Sequence, residues 1–160
     1  WDNDAMEIVG AYRLGCAQTL TQNNDGNQLY SASLFEYQPD MARYFEQGLE
    51  LGRSFVQPKY WGKRALDYLW MGIGAFIEQN QQYRYLFGPV SLSDAYPEAA
   101  KQLIVSFYQT YFPPREHLAV PKHQLDFNLN LSTVFLGDNF SEEFAILKLS
   151  LNVVSIFSPS

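Results

Sequence analysis

Apolar positions recur along this chain with two different spacings, and the alternation between them outlines the elements. Residues 6–14 (Met-Glu-Ile-Val-Gly-Ala-Tyr-Arg-Leu) are rich in β-branched and aromatic side chains and are expected to form a strand. The polar run Asn23-Asn24-Asp25-Gly26-Asn27 supplies turn chemistry, because Asp-Gly tolerates the positive φ that tight turns need. Pro39 is placed to open a short helix and Gly48 to close it. Over residues 49–56, Leu49, Leu51 and Phe55 alternate with Glu50 and Ser54, which predicts a second strand. Gly52 and Arg53 interrupt it, and a glycine inside a strand marks a bulge or a close backbone approach. After a loop at 57–64 the period changes. Leu66, Leu69, Trp70, Ile73, Phe76 and Ile77 form one apolar face of a helix over about residues 63–79. Residues 83–92 read as a third strand. Pro97 starts another helix, with Leu103, Ile104, Phe107, Tyr108 and Tyr111 as its buried face, and Pro113-Pro114 stops it. Residues 113–140 show no clear period beyond a candidate strand near 131–136, and so long a loop is usually functional or disordered. Ser141, with Glu142 and Glu143 complementing a helix dipole, begins the last helix. This order of strands and helices points to an α/β (α+β) fold, a mixed central sheet flanked by helices.

Composition narrows the picture. A chain of 160 residues suits a single domain, and 47% hydrophobic against 18% charged residues suits a globular one. Aromatic residues cluster in Tyr83-Arg84-Tyr85-Leu86-Phe87 and Phe107-Tyr108-Gln109-Thr110-Tyr111-Phe112, consistent either with core packing or with an apolar slot for an acyl chain. A net charge of −6 argues against nucleic acid as a partner. The single cysteine, Cys16, excludes an internal disulfide, fits a reducing compartment and has no evident histidine partner for nucleophilic catalysis. His117 and His123 stand six apart without nearby cysteines, so no metal site is expected. No run of about 18 apolar residues predicts a membrane-spanning helix, and no signal-peptide pattern is present.

Three segments, in order, carry a resemblance. The first is Glu50-Leu51-Gly52-Arg53-Ser54-Phe55-Val56, followed by Lys59-Tyr60 and Leu69-Trp70-Met71-Gly72-Ile73. The second is Tyr85-Leu86-Phe87-Gly88-Pro89-Val90-Ser91-Leu92-Ser93, and the third, weaker one is Ile8-Val9-Gly10-Ala11-Tyr12-Arg13-Leu14. Across roughly residues 6–112 they resemble the ornithine-lipid and glycine-lipid N-acyltransferases, a hemolysin-like branch of the GNAT fold related to acyl-homoserine lactone synthases.

The resemblance implies transfer of a 3-hydroxy fatty acyl group from acyl carrier protein to the α-amine of an amino acid such as ornithine, in aminolipid synthesis. The co-substrate is then the 4'-phosphopantetheine thioester of the carrier protein, with no bound metal or cofactor. It also implies work in the cytoplasm at the inner membrane face, peripheral membrane association, and a fused or partner O-acyltransferase domain. In such folds the strand before the central loop splays from its neighbour and offers backbone N–H groups to the donor, and the loop cradles the donor's phosphate-bearing arm. By resemblance these are residues 50–56 and 57–64. Glu50 would orient the amine or accept its proton, and Arg53 would hold a carboxylate or brace the strand; the alternative for both is an ion pair that locks the strand. Tyr108 would protonate the departing thiolate, or be a core tyrosine. Ser54, Val56, Ser91 and Ser93 would bind substrate, the last two serving equally well as caps. Lys59, Lys63 and Arg64 would dock the acidic carrier protein, or form a solvated helix start.

The usual glycine-rich GNAT loop is replaced here by a segment holding only Gly62 with Trp61, Lys63 and Arg64, which favours a carrier-protein donor over acyl coenzyme A. The expected first strand and a closing C-terminal block have no counterpart, which implies a fragment. Three rival readings stay open: a coenzyme A-dependent N-acetyltransferase, a non-catalytic acyl-donor or lipid-binding module, and a pore-forming hemolysin. The last would need amphipathic hairpins or membrane-inserting helices, which the sequence does not show.

Overall fold

The computed structural model describes residues 1–22, 28–123, 131 and 134–156, with side chains up to residue 151. Its elements in chain order are β1 (Gly10–Cys16), α1 (Ala17–Gln22), β2 (Phe35–Tyr37), α2 (Ala42–Phe45), β3 (Gly48–Val56), α3 (Ala65–Gln79), β4 (Tyr85–Phe87), α4 (Glu98–Tyr111), β5 (Ala119–Pro121) and α5 (Phe140–Ile156). The chain divides into two compact units, Trp1–Pro89 with Leu118–Lys122, and Val90–His117 with His123–Ser160.

The first unit is built on a mixed three-stranded sheet in the order β1-β3-β4. β3 runs antiparallel to β1 and parallel to β4, which is reached through the crossover helix α3. Its core holds Ala17, Leu29, Met41, Leu49 and Ile73. Burying a side chain such as Leu49 contributes about 1.5–3 kcal/mol. Tyr37 packs edge-to-face on Phe45, with ring centroids 5.0 Å apart, and Phe45 packs tilted on Phe87 at 5.6 Å. β2 and β5 form a separate antiparallel pair.

In the second unit α4 and α5 pack around Phe107, Phe135 and Leu147. The α5 entry is fixed by Asn139, whose side chain accepts from the Glu142 amide at 3.3 Å. Buried Glu143 accepts from the Leu136 and Gly137 amides at 3.1 and 3.3 Å.

The mixed α/β architecture with flanking helices agrees with the sequence pattern, and β3, α3 and α4 begin within about two residues of expectation. Several local expectations need correction. β1 starts at Gly10, because residues 2–7 close a separate turn through the bridge between Asp2 and Glu7. β4 spans three residues instead of ten, because Gly88 and Pro89 end its pairing. Pro39 opens a single 3-10 turn leading into α2, and Gly48 starts β3 instead of ending a helix. Near 131–136 the described residues carry no strand. On α3 the inward face centres on Ile73, while Leu66 and Trp70 are 53% and 55% exposed. On α4 Phe107 is buried but Tyr108 is 52% exposed. The turn expected at 23–27 lies outside the described residues.

Candidate active site

The chemistry-bearing part of the first unit is the middle of β3. Its register against β1 runs from Cys16–Leu49 to Arg13–Gly52, then jumps to Ala11–Phe55, so one extra residue is inserted on β3. That bulge falls at Arg53, which adopts φ 48°, a left-handed conformation that L residues seldom take. On the other edge, β4 pairs with β3 only from Gly48–Tyr85 to Glu50–Phe87. Gly88 then passes so close to the Leu51 carbonyl that an added Cβ would stand 2.2 Å from its oxygen. From there no described strand pairs with that edge of β3. The bulge and the parting of β4 together open a wedge along Leu51–Val56, in which Arg53, Ser54 and Phe55 are exposed and Val56 half-buried.

Glu50 sits at the apex of this wedge, wholly buried. Its Oε2 accepts from Arg13 Nη2 and from the Tyr30 amide, each at 3.1 Å. Its Oε1 accepts from the Ser31 amide at 2.7 Å and from the Ser31 hydroxyl. Tyr37 donates in turn to the Ser31 Oγ at 2.6 Å. A carboxylate removed from water needs such a set of donors, and here they come from β1 and the turn at 30–31, with β2 supporting Ser31 through Tyr37. Glu50 and Arg53, three apart, would face opposite sides of a regular strand. The bulge brings Arg53 onto the Tyr30 ring, its Cζ 5.4 Å from the centroid. The two do not pair with each other; the ion partner of Glu50 is Arg13.

The loop after β3 is tied to the first residues of the chain. The Gln57 amide donates to the Val9 carbonyl at 2.8 Å. Its side chain donates to the Ile8 carbonyl. The single Tyr60 hydroxyl proton is shared between two carboxylate acceptors, Asp2 at 2.5 Å and Glu7 at 2.8 Å. Lys59 forms an ion pair with Glu7. The hydrogen bond from Tyr60 is the main cause holding the Asp2 carboxyl below its usual range. For Glu7 the main cause is Lys59, followed by Tyr60, while the bond to Asp2 drives the Tyr60 phenol up. Lys63 lies over the Tyr60 ring at 5.3 Å and Arg64 over Tyr68 at 5.4 Å. Arg64 also approaches Asp67 at 3.8 Å. These side chains line a cavity of about 660 Å³ at the start of α3, bounded by Trp1, Asp2, Asp4, Gly10, Tyr60 and Tyr68. All three cations are exposed; Lys59 pairs with Glu7, Arg64 approaches Asp67 more loosely, and Lys63 pairs with no carboxylate among the described residues.

In the second unit, Ser91 is exposed, and Ser93 Oγ accepts from the Ala95 amide at 3.2 Å, closing the turn before α4. Tyr108 is exposed on α4. Among the described residues no cluster of three or more His, Cys, Asp or Glu is placed to hold a metal ion, and no helix is long and apolar enough to cross a membrane. Sequence reasoning missed Arg13, Tyr30, Ser31 and Tyr37. Their only signal is an arginine on an otherwise apolar strand two residues out of register with a buried glutamate.

Comparison with known proteins points to a family. Residues 1–71 match the acetyltransferase (GNAT) domain family. The chain is 31% identical to a glycine N(alpha)-acyltransferase of Bacteroides thetaiotaomicron, an alignment covering 94% of the chain and 48% of the relative. It is 29% identical to a glycine N(alpha)-acyltransferase of Phocaeicola vulgatus, over 96% of the chain and 52% of the relative. Identity reaches 37% with an L-ornithine N(alpha)-acyltransferase of Agrobacterium fabrum, over 58% of the chain and 31% of that protein. The chain thus spans about half the length of the glycine relatives. No solved structure matches it.

Proposed function

This chain carries a GNAT acetyltransferase domain, and from it we propose an N-acyltransferase that moves a 3-hydroxy fatty acyl group from acyl carrier protein to the α-amine of an amino acid such as glycine or ornithine. The product is an aminolipid made in the cytoplasm at the inner membrane face, with an O-acyltransferase domain as a fused or separate partner. The observation that carries this reading is the bulged, splayed β3 with its free edge from Leu51 to Val56. Aminolysis of a thioester needs a neutral amine beside the carbonyl, donors for the developing oxyanion and a proton for the departing thiolate. The amine nitrogen bonds to the carbonyl carbon, the C–S bond breaks, the amine loses a proton to solvent and the thiolate gains one. Backbone N–H groups on the open edge supply the oxyanion donors. Ser54 and Val56 flank the acyl chain.

In this scheme Glu50, saturated with donors, is a positioning residue that holds Arg13 and the 30–31 turn in place. Tyr108, exposed on α4, is the candidate proton source for the thiolate. Lys63 and Arg64 meet the acidic carrier protein and the phosphate of its prosthetic arm at the start of α3, while Lys59 holds the loop. No tightly bound cofactor is required.

The test is free-thiol release from 3-hydroxyacyl carrier protein with glycine, ornithine, lysine or glutamine as acceptor, and mass spectrometry of the product. Acceptor-dependent release that falls at least about tenfold in a folded Tyr108→Phe variant is the expected result. Donor binding without acceptor-dependent release would leave a non-catalytic carrier-binding module in its place, and preference for acyl coenzyme A would reassign the donor.

A further inference from the structure

We infer that Arg13 and Arg53, set around the Tyr30–Ser31 turn, form the subsite that binds the α-carboxylate of the acceptor amino acid. The inference rests on the acyltransferase reading; it takes the carboxylate-holding role that the resemblance suggests for Arg53 and adds Arg13, the Tyr30–Ser31 turn and the identity of the carboxylate. Both arginines are tied to this turn, Arg13 through the Glu50 oxygen that it shares with the Tyr30 amide and Arg53 through the Tyr30 ring. Arg13 spends one N–H on the buried Glu50, and its side chain remains 46% exposed. A guanidinium has five donors in a planar fork, so four are left to bind an anion. Arg53 is exposed, lies over the Tyr30 ring, and pairs with no carboxylate among the described residues.

Tyr30 links the two arginines directly. Its amide shares the Glu50 oxygen with Arg13, while its ring carries Arg53. Glu50, wholly buried, neutralises Arg13, while Arg53 has no carboxylate partner among the described residues. The outward side of the pair has an uncompensated positive charge beside the wedge in β3. A regular β3 could not achieve this, because Arg53 would face away from Glu50. The bulge turns it back, and the backbone adopts φ 48° there. Strain of this kind persists where the surroundings over-determine it, and it clusters at ligand clamps. Glycine and ornithine share an α-amine beside a carboxylate. Holding the carboxylate on Arg13 and Arg53 would point that amine along the open edge of β3, where the thioester carbonyl is expected.

Equilibrium binding to the full chain, by titration calorimetry or by NMR, tests this without turnover. The probes are glycine and ornithine against glycinamide and ornithinamide, which keep the amine and lose the charge. Binding of the free acids about tenfold or more tighter than the amides is expected from charge-assisted pairing with arginine. Arg53→Gln should erase that preference while the amides bind as before, and Arg13→Lys, which keeps a charge for Glu50, should reduce it. Circular dichroism establishes that each variant is folded. Equal binding of acid and amide by the parent, no binding of either, or an unchanged preference in folded Arg53→Gln would each overturn the subsite. The two readings separate cleanly: acyl transfer that is equally efficient to acid and amide sinks the subsite alone. Acid-selective binding that depends on Arg53, in a protein that acylates no amine, sinks the enzyme alone.

Discussion

At the scale of single residues, Glu50 and Arg53 come from one sequence block and do opposite things. Glu50 is buried and anchors three segments; Arg53 is exposed and backbone-strained. Their substitutions should therefore separate. Glu50→Gln removes the charge facing Arg13 and turns one acceptor oxygen into a donor aimed at other donors. It should cost about 2–4 kcal/mol, the range for breaking a buried, charge-assisted network. Arg53→Gln touches no buried partner and should change stability by less than about 0.5 kcal/mol. Urea unfolding followed by far-ultraviolet circular dichroism measures both. Equal losses would mean that Arg53 also carries structural weight, and no loss in Glu50→Gln would remove the brace described here. The sequence showed the importance of the block but not this division, because the partners of Glu50 lie 19 to 37 residues away and strand alternation says nothing about which arginine it meets.

At the scale of elements, the loop between β3 and α3 keeps its shape through contacts with residues 2–9, and those contacts carry a pH signature. Asp2 and Glu7 both titrate lower in the folded protein than their ordinary values of 3.8 and 4.5. The folded state thus binds fewer protons than the unfolded chain in this range, so stability rises with pH there. The stabilisation is complete above the ordinary carboxylate range and is lost as pH falls through the depressed folded values. A double variant, Asp2→Asn with Glu7→Gln, should melt below the parent at about pH 7, with the difference closing below about pH 4. A gap that stays constant under acid would show that the carboxyl groups do not hold the loop. What the sequence revealed at this scale follows from length. β3 and α3 were legible because nine and fifteen residues repeat a period often enough to be recognised. β2 and β5, three residues each, contain no full period and become strands only by pairing with each other. The face of α3 was half legible, since periodicity finds an apolar stripe but does not say where the sheet ends; Leu66 and Trp70 fall beyond it.

At the scale of the whole molecule, the question is how a chain of net charge −6 approaches an acidic carrier protein. Long-range repulsion opposes the encounter, so attraction has to be local, and at a Debye length of about 8 Å only nearby charges count. Lys63 and Arg64 stand together at the start of α3, and the ring contacts that orient them leave their charge exposed to solvent. Lys59 differs, since Glu7 already neutralises it. Reversing Lys63 and Arg64 to glutamate should raise KM for acyl carrier protein about tenfold or more at low salt, with little change in kcat. A small acylated pantetheine thioester, which lacks the acidic protein surface, should show a much weaker dependence on these residues. Raising the salt to about 0.5 M should shrink the difference between parent and variant, because screening removes attraction and repulsion alike. Lys59→Glu should instead place a third acid beside Tyr60, next to Asp2 and Glu7, and lower thermal stability through the loop, a different readout from a neighbouring cation. If the double reversal leaves KM for the carrier protein unchanged at every salt concentration, docking takes place on another face, and the cationic start of α3 serves only the phosphate of the prosthetic arm.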